Sequence, residues 1–162
     1  MNTAEKKDLQ IAACKIRMGA IEGVYHAKSG HPGGSLSAAD VLTYLYFKEM
    51  RVDPTRPADE DRDRFVLSKG HCCPALYATL ALKGYFPMEE LQKLRHIGAM
   101  LQGHPNMLDT PGIDMSTGSL GQGVSTACGM ALAAKIMGKD YRVYSMLGDG
   151  EIEEGQVWEA AM

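Results

Sequence analysis

Three of the five histidines in the chain directly follow a glycine: Gly30-His31, Gly70-His71 and Gly103-His104. Two of them also precede a proline, in His31-Pro32 and His104-Pro105. Glycine frees the backbone and lets a ligand approach, while proline fixes the direction in which the chain leaves. Three imidazoles on such turns can converge on one polar ligand. There they can donate to phosphate or hydroxyl oxygens and move protons near neutral pH. Any one of them alone is an ordinary loop histidine; the shared context points to a common site. His26 and His96 fall on predicted helices and are assigned to structure.

A second constellation lies in Tyr141–Gln156, YRVYSMLGDGEIEEGQ. An apolar run, Val143 to Leu147, ends in Gly148-Asp149-Gly150, and a helix-compatible segment follows from Glu153 to Met162. A strand, a tight turn carrying one carboxylate and a helix start can put Asp149 on a hard metal ion while the turn's N–H groups face a diphosphate. Most Asp-Gly turns are only turns, and this one gains weight from the strand before it and the acidic residues after it. Glu151, Glu153 and Glu154 sit at or near the helix start, where favouring the helix dipole accounts for two of them. Glu154 is read as a buried carboxylate with a catalytic partner. A third segment, Thr117-Gly118-Ser119-Leu120-Gly121-Gln122-Gly123, opens a long helix and offers free backbone donors. Its G-x-x-G-x-G order differs from the dinucleotide fingerprint and no strand precedes it closely, so a dinucleotide site is not expected.

The elements that must position these residues follow from periodicity. Leu9, Ala13, Ile16, Ala20, Val24 and Ala27 predict a helix over 4–28, which Ser29–Gly34 breaks. Ser37 and Asp40 form an S-x-x-D cap for a helix over about 38–49. Arg64–Leu67 is a strand candidate, Pro74 to Lys83 a helix that Gly84 stops, and Pro87 opens another with Glu89 and Glu90 in its first turn. Residues 98–119 are loop-like. Gly121–Met137 is a helix whose small face, Gly121, Ser125, Gly129 and Ala133, lets a helix or a cofactor approach. Tyr141–Leu147 is the second strand. The order is α/β with short buried strands, too few for a doubly wound sheet, so the architecture reads as incomplete at the C-terminus.

Hydrophobic residues make up 45% and charged residues 23%, enough for one globular domain with a real core. The net charge of −3 gives no basic excess for nucleic acid. No apolar run approaches the roughly 20 residues of a membrane span. Glu5, Lys6, Lys7 and Asp8 interrupt any signal-peptide pattern. Cys14, Cys72, Cys73 and Cys128 show no metal-ligand spacing and read as buried reduced thiols of a cytoplasmic protein.

Taken in order, SGHPGG (29–34), DRFVLSKGH (63–71), GHPN (103–106), TGSLGQG (117–123) and GDGEIEEGQVWEAA (148–161) resemble transketolase across nearly the whole chain. The SKGH and GSLGQG wording is most similar to the N-terminal section of split bacterial transketolases. Deoxyxylulose-phosphate synthase is a relative that fits the first and third motifs less well. The resemblance implies a partial thiamine diphosphate-binding fold, a parallel sheet flanked by helices. It also implies thiamine diphosphate with Mg²⁺ or Ca²⁺ as cofactors, and transfer of a two-carbon ketol unit from a ketose phosphate to an aldose phosphate.

Residue by residue, the resemblance makes Asp149 the metal ligand, and has Gly150 and His71 contact the diphosphate. His31 and His104 bind the donor's hydroxyls near the reacting carbons, and Gly118 and Leu120 pack against the cofactor. Glu154 joins a proton network spanning two subunits. The implied partners are a transketolase C-terminal section as a second chain and sugar phosphates, in a homodimer or heterotetramer, with no nucleic acid or membrane. The family's later metal-ligand asparagine and cofactor-activating glutamate have no counterpart in these residues. The expectation is therefore a shortened product or fragment carrying the N-terminal part of the domain and inactive alone, with a non-catalytic assembly role as the alternative.

Overall fold

A computed structural model describes residues 1–162. Helix α1 (Thr3–Ala27) starts with a reciprocal cap: the Asn2 side chain accepts from the Glu5 N–H, and the Glu5 carboxylate accepts from the Asn2 N–H. Helix α2 (Pro32–Tyr44) begins earlier than the S-x-x-D pattern predicts. Pro32 supplies the preset φ of a first helical position, and Asp40 lies within the helix, paired with Arg17 of α1 at 2.5 Å. A π-helical stretch, Leu45–Glu49, continues it. Gly34 lets α2 close on the 3₁₀ turn Gly70–Cys72, because a Cβ there would overlap Cys72 Sγ.

Strand β1 (Arg64–Leu67) leads through a 3₁₀ turn, Gly70–Cys72, into α3 (Cys73–Lys83). Every residue from Cys73 to Ala81 is buried, so α3 is apolar on all sides and forms the axis of the core with Ile16, Leu42, Phe65 and Leu91 around it. Gly84 ends α3 at φ 104°. The segment after Pro87 is a 3₁₀ helix, Met88–Lys93, shorter than the predicted helix; Arg95 lies outside it with φ 63°. A long loop then leads to α4 (Gln122–Met137), β2 (Val143–Met146), a 3₁₀ turn (Glu151–Glu153) and α5 (Gly155–Ala161).

The two strands pair in parallel, Phe65 opposite Tyr144 and Leu67 opposite Met146. A parallel pair needs a long crossover, which α3, the loop and α4 supply. Two buried acids lock the sheet. Asp63 accepts the N–H groups of Arg51 and Arg142, both at 2.8 Å. Asp114 accepts the Phe65 N–H at 2.8 Å and pairs with Arg62 at 2.5 Å, which pins the long loop to the free edge of β1. No helix is long and apolar enough to cross a membrane.

Candidate active site

Because β1 and β2 are parallel, the loops that follow them leave from the same end of the sheet, the usual ligand end of parallel α/β folds. Ser68–His71 follows β1 and Leu147–Gly150 follows β2. His71 is half-buried in the 3₁₀ turn before α3. His31 occupies the N-cap position of α2 without a side-chain capping bond, and its ring meets that of His71 edge-on at 5.1 Å between centroids. The 117–121 loop wedges between the Gly70-His71 and Gly103-His104 turns. A Cβ on Gly70 would stand 2.8 Å from the Gly118 nitrogen. Gly118, at φ 153°, lies against the His104 ring, 3.0 Å from its Cδ2 by the same construction. Tyr77 of α3 supports the third turn, its hydroxyl 2.9 Å from the carbonyl oxygens of both Gln102 and His104. Arg95 reaches back to donate to Ser29 Oγ at 2.7 Å and packs along Gly103. The structure therefore gathers His31, His71 and His104 around one surface.

Burial and the surrounding charges make two of these imidazoles less ready to bind a proton than a free histidine. Burial lowers the affinity of His71 for a proton, and the neighbouring His31 and Lys69 lower it further, against a smaller opposing effect of Glu151. Partial desolvation lowers that of His104, with Arg95 and His31 acting in the same direction. A neutral imidazole presents one donor and one acceptor, as hydrogen bonding to a hydroxyl and relaying its proton require. All four cysteines are free; Cys72 and Cys73 are buried, but Cys14 and Cys128 are exposed, contrary to the expectation that all four lie inside. Burial pushes the Cys73 thiol up to about 12, which leaves it unreactive.

The turn after β2 is open. Asp149 and Gly150 are exposed, the Asp149 carboxylate pairs with no cation or donor of the chain, and no atom lies within 4 Å of a Cβ built on Gly150. The N–H groups of Asp149 and Gly150 donate to no acceptor in the chain, while the Gly148 N–H is taken by Glu151 Oε2 at 2.8 Å. An unpaired carboxylate beside free N–H groups suits a cation bridged to an oxyanion. No group of three or more His, Cys, Asp or Glu side chains is placed to hold a metal ion, so Asp149 would supply one ligand and other oxygens the rest.

Glu151 is the residue that sequence reasoning missed. Its helix-dipole reading is wrong: it is 3% exposed and accepts from Ser68 Oγ at 2.5 Å and the Gly121 N–H at 3.0 Å, in addition to Gly148. Its partners come from three separate loops, 30 and 83 residues away for Gly121 and Ser68, and no local pattern announces them.

A model of the thiamine diphosphate binding domain of transketolase matches residues 9–162. The chain belongs to the transketolase family. It is 55% identical over 155 residues to the 6-deoxy-6-sulfo-D-fructose transketolase subunit of Clostridium sp. (strain MSTE9), covering 96% of this chain and 56% of the relative. It is 50% identical to an apulose-4-phosphate transketolase subunit of Phocaeicola vulgatus, covering 95% and 54%. The chain thus spans about half the length of these curated relatives. Among solved structures, transketolase from Campylobacter jejuni superposes with a TM-score of 0.90 at 36% identity, covering 99% of this chain and 26% of that one. The helix-rich α/β fold with its small parallel sheet is accordingly a partial transketolase domain.

Within this transketolase fold the remaining expected site residues are placed as follows. Leu120 is 39% exposed and lies with Gly118 on the loop between the histidine turns. Glu154 caps α5 and is exposed, not buried as expected; its Cβ would lie 3.0 Å from a Cβ on Gly121. The predicted small face of α4 is covered only at its start, by Glu154 at Gly121 and by the Gln156 amide on Ser125 at 2.7 Å. Gly129 faces open space, and the residues α4 does bury are Gly123, Ala127 and Ala134.

Proposed function

We propose that this chain supplies the diphosphate- and metal-facing part of a transketolase active site, and that the assembled enzyme moves a two-carbon ketol unit from a ketose phosphate to an aldose phosphate. The observation that carries the reading is the gathering of His31, His71, His104 and the open Asp149-Gly150 turn at the carboxyl end of one parallel sheet. Thiamine diphosphate supplies the carbanion chemistry when bound. His71 donates to a diphosphate oxygen. Asp149 holds Mg²⁺ or Ca²⁺, and the Gly150 N–H faces the diphosphate. His31 and His104 hydrogen-bond the donor's hydroxyls and hold or release a proton there. Gly118 and Leu120 line the cofactor's ring.

Residues 1–162 form the N-terminal part of the domain, and a partner chain carries the C-terminal section, as the subunit names of the two relatives suggest. Exposed apolar side chains, Ile136 on α4 and Trp158 on α5 among them, support an assembly of subunits, homodimer or heterotetramer. Exposed Glu154 is then free to meet a group from across that contact. Free thiols support a reducing compartment such as the cytoplasm.

The test is product analysis of the full-length enzyme with its partner, Mg²⁺ and thiamine diphosphate. A ketose phosphate and a sulfonated ketose serve in turn as donor, because the relatives are named for different sugars. Ketol transfer that falls about 10²–10⁴-fold in His104→Ala supports the reading. Transfer from neither ketose, with pyruvate as donor instead giving a deoxyketose phosphate and CO₂ in the presence of an aldose phosphate acceptor, would assign a deoxyxylulose-phosphate synthase-like reaction. Partner binding without turnover of any donor would leave an assembly role.

A further inference from the structure

We infer that Glu151 is a positioning residue that sets the three cofactor-facing loops in mutual register, an inference that rests on the proposed transketolase reading. The parallel ladder fixes β1 and β2 but ends at Leu67 and Met146, before any of the loops begins. Beyond that point the Ser68 and Lys69 N–H groups still reach the Met146 carbonyl and the Thr117 hydroxyl donates to the Leu67 carbonyl, but the one group that meets all three loops is a buried carboxylate. Oε1 accepts from Ser68 Oγ and the Gly121 N–H, and Oε2 from the Gly148 N–H. Ser68 lies three residues before His71, Gly121 follows Leu120 directly, and Gly148 precedes Asp149. Each arm thus ends beside a different contact to the cofactor.

Glu151 makes no ion pair within the chain, and these three donors are its hydrogen-bond partners. A glutamine in its place cannot accept on both sides. Its NH₂ group would face either the Gly148 N–H or the Gly121 N–H, leaving one donor without an acceptor where water is scarce. Alanine would release all three arms. Glu151 therefore acts through His71, Leu120 and Asp149 and need not touch the cofactor itself.

The experiment compares Glu151→Gln and Glu151→Ala in the full-length enzyme assembled with its partner. It reads thiamine diphosphate affinity by calorimetry at saturating Mg²⁺, kcat at saturating cofactor, and Tm. The inference expects Glu151→Gln to bind thiamine diphosphate about tenfold more weakly while keeping kcat within about threefold, since the bound cofactor restores the turn. Glu151→Ala should lose more affinity and also lose kcat. Should the alanine variant fail to fold, the glutamine variant decides. Wild-type binding with variants unchanged within about twofold overturns the inference alone, as does a parallel fall of affinity, kcat and Tm in Glu151→Gln, the pattern of a merely structural role. A wild-type enzyme that binds no thiamine diphosphate overturns the inference and the proposed function together.

Discussion

His71 and His104 are each held less basic than a free histidine, chiefly by desolvation and then by the cationic groups around them. The consequence for stability has a definite sign. The unfolded chain takes up these protons at a higher pH than the folded chain does, so protonation favours unfolding. The stability tied to neutral His71 and His104 is complete above the unfolded histidine value of about 6.5 and is lost as the pH falls below it. A plot of Tm against pH should bend downward below that point, and the bend should be shallower in His71→Gln. Asp63 gives a second prediction at this scale. Burial alone would raise its affinity for a proton, but the Arg142 and Arg51 N–H groups and the Arg51 guanidinium outweigh it and hold it ionised. Asp63→Ala leaves two backbone donors without acceptors, at a cost of about 1–3 kcal/mol each at most, to be read by urea denaturation. The Gly-His turns were legible because glycine and proline leave a local signature. The role of Glu151 was not, since a glutamate after a turn already has a sufficient local explanation in the helix dipole.

At the scale of elements, close approach decides which glycines matter. A Cβ on Gly123 would stand 2.6 Å from Ser68 Cα, and backbone cannot yield as a flexible side chain does. Gly123→Ala should push the start of α4 off the loop after β1 and cost about 1–3 kcal/mol in denaturant titration. Gly129, on the same helix, faces open space, and Gly129→Ala should stabilise by about 0.4–1 kcal/mol. Opposite signs from one substitution on one helix test the packing directly. Local reading of the sequence makes α1 legible from its periodicity, α3 from the Pro74 and Gly84 boundaries, α4 from its small-residue spacing and both strands from short apolar runs. It misplaces the start of α2, because Ser37 and Asp40 imitate a cap while Asp40 is paired with Arg17, 23 residues away. It also makes the Pro87 segment a full helix, although Arg95 departs from helical geometry to reach Ser29.

At the scale of the molecule, the chain carries a two-stranded parallel sheet, and the loops after both strands leave from the same end of it. Ser145 of β2 has a buried hydroxyl without a partner, and large apolar side chains remain exposed on α4 and α5. The family was legible from five motifs in order, each a local pattern of glycine, histidine and acid. The sharing of the site among three loops was not, because it depends on contacts between segments distant in sequence.

The proposed function stands on the Asp149 turn as the place where cation and diphosphate are held. The most direct measurement is a calorimetric titration of the full-length enzyme, assembled with its partner, with thiamine diphosphate at saturating Mg²⁺, comparing wild type with Asp149→Ala. The account predicts Mg²⁺-dependent binding in wild type and at least about tenfold weaker binding in the variant, with Tm in the absence of ligand little changed because Asp149 is exposed and unpaired. Equal affinity in the two proteins would contradict it.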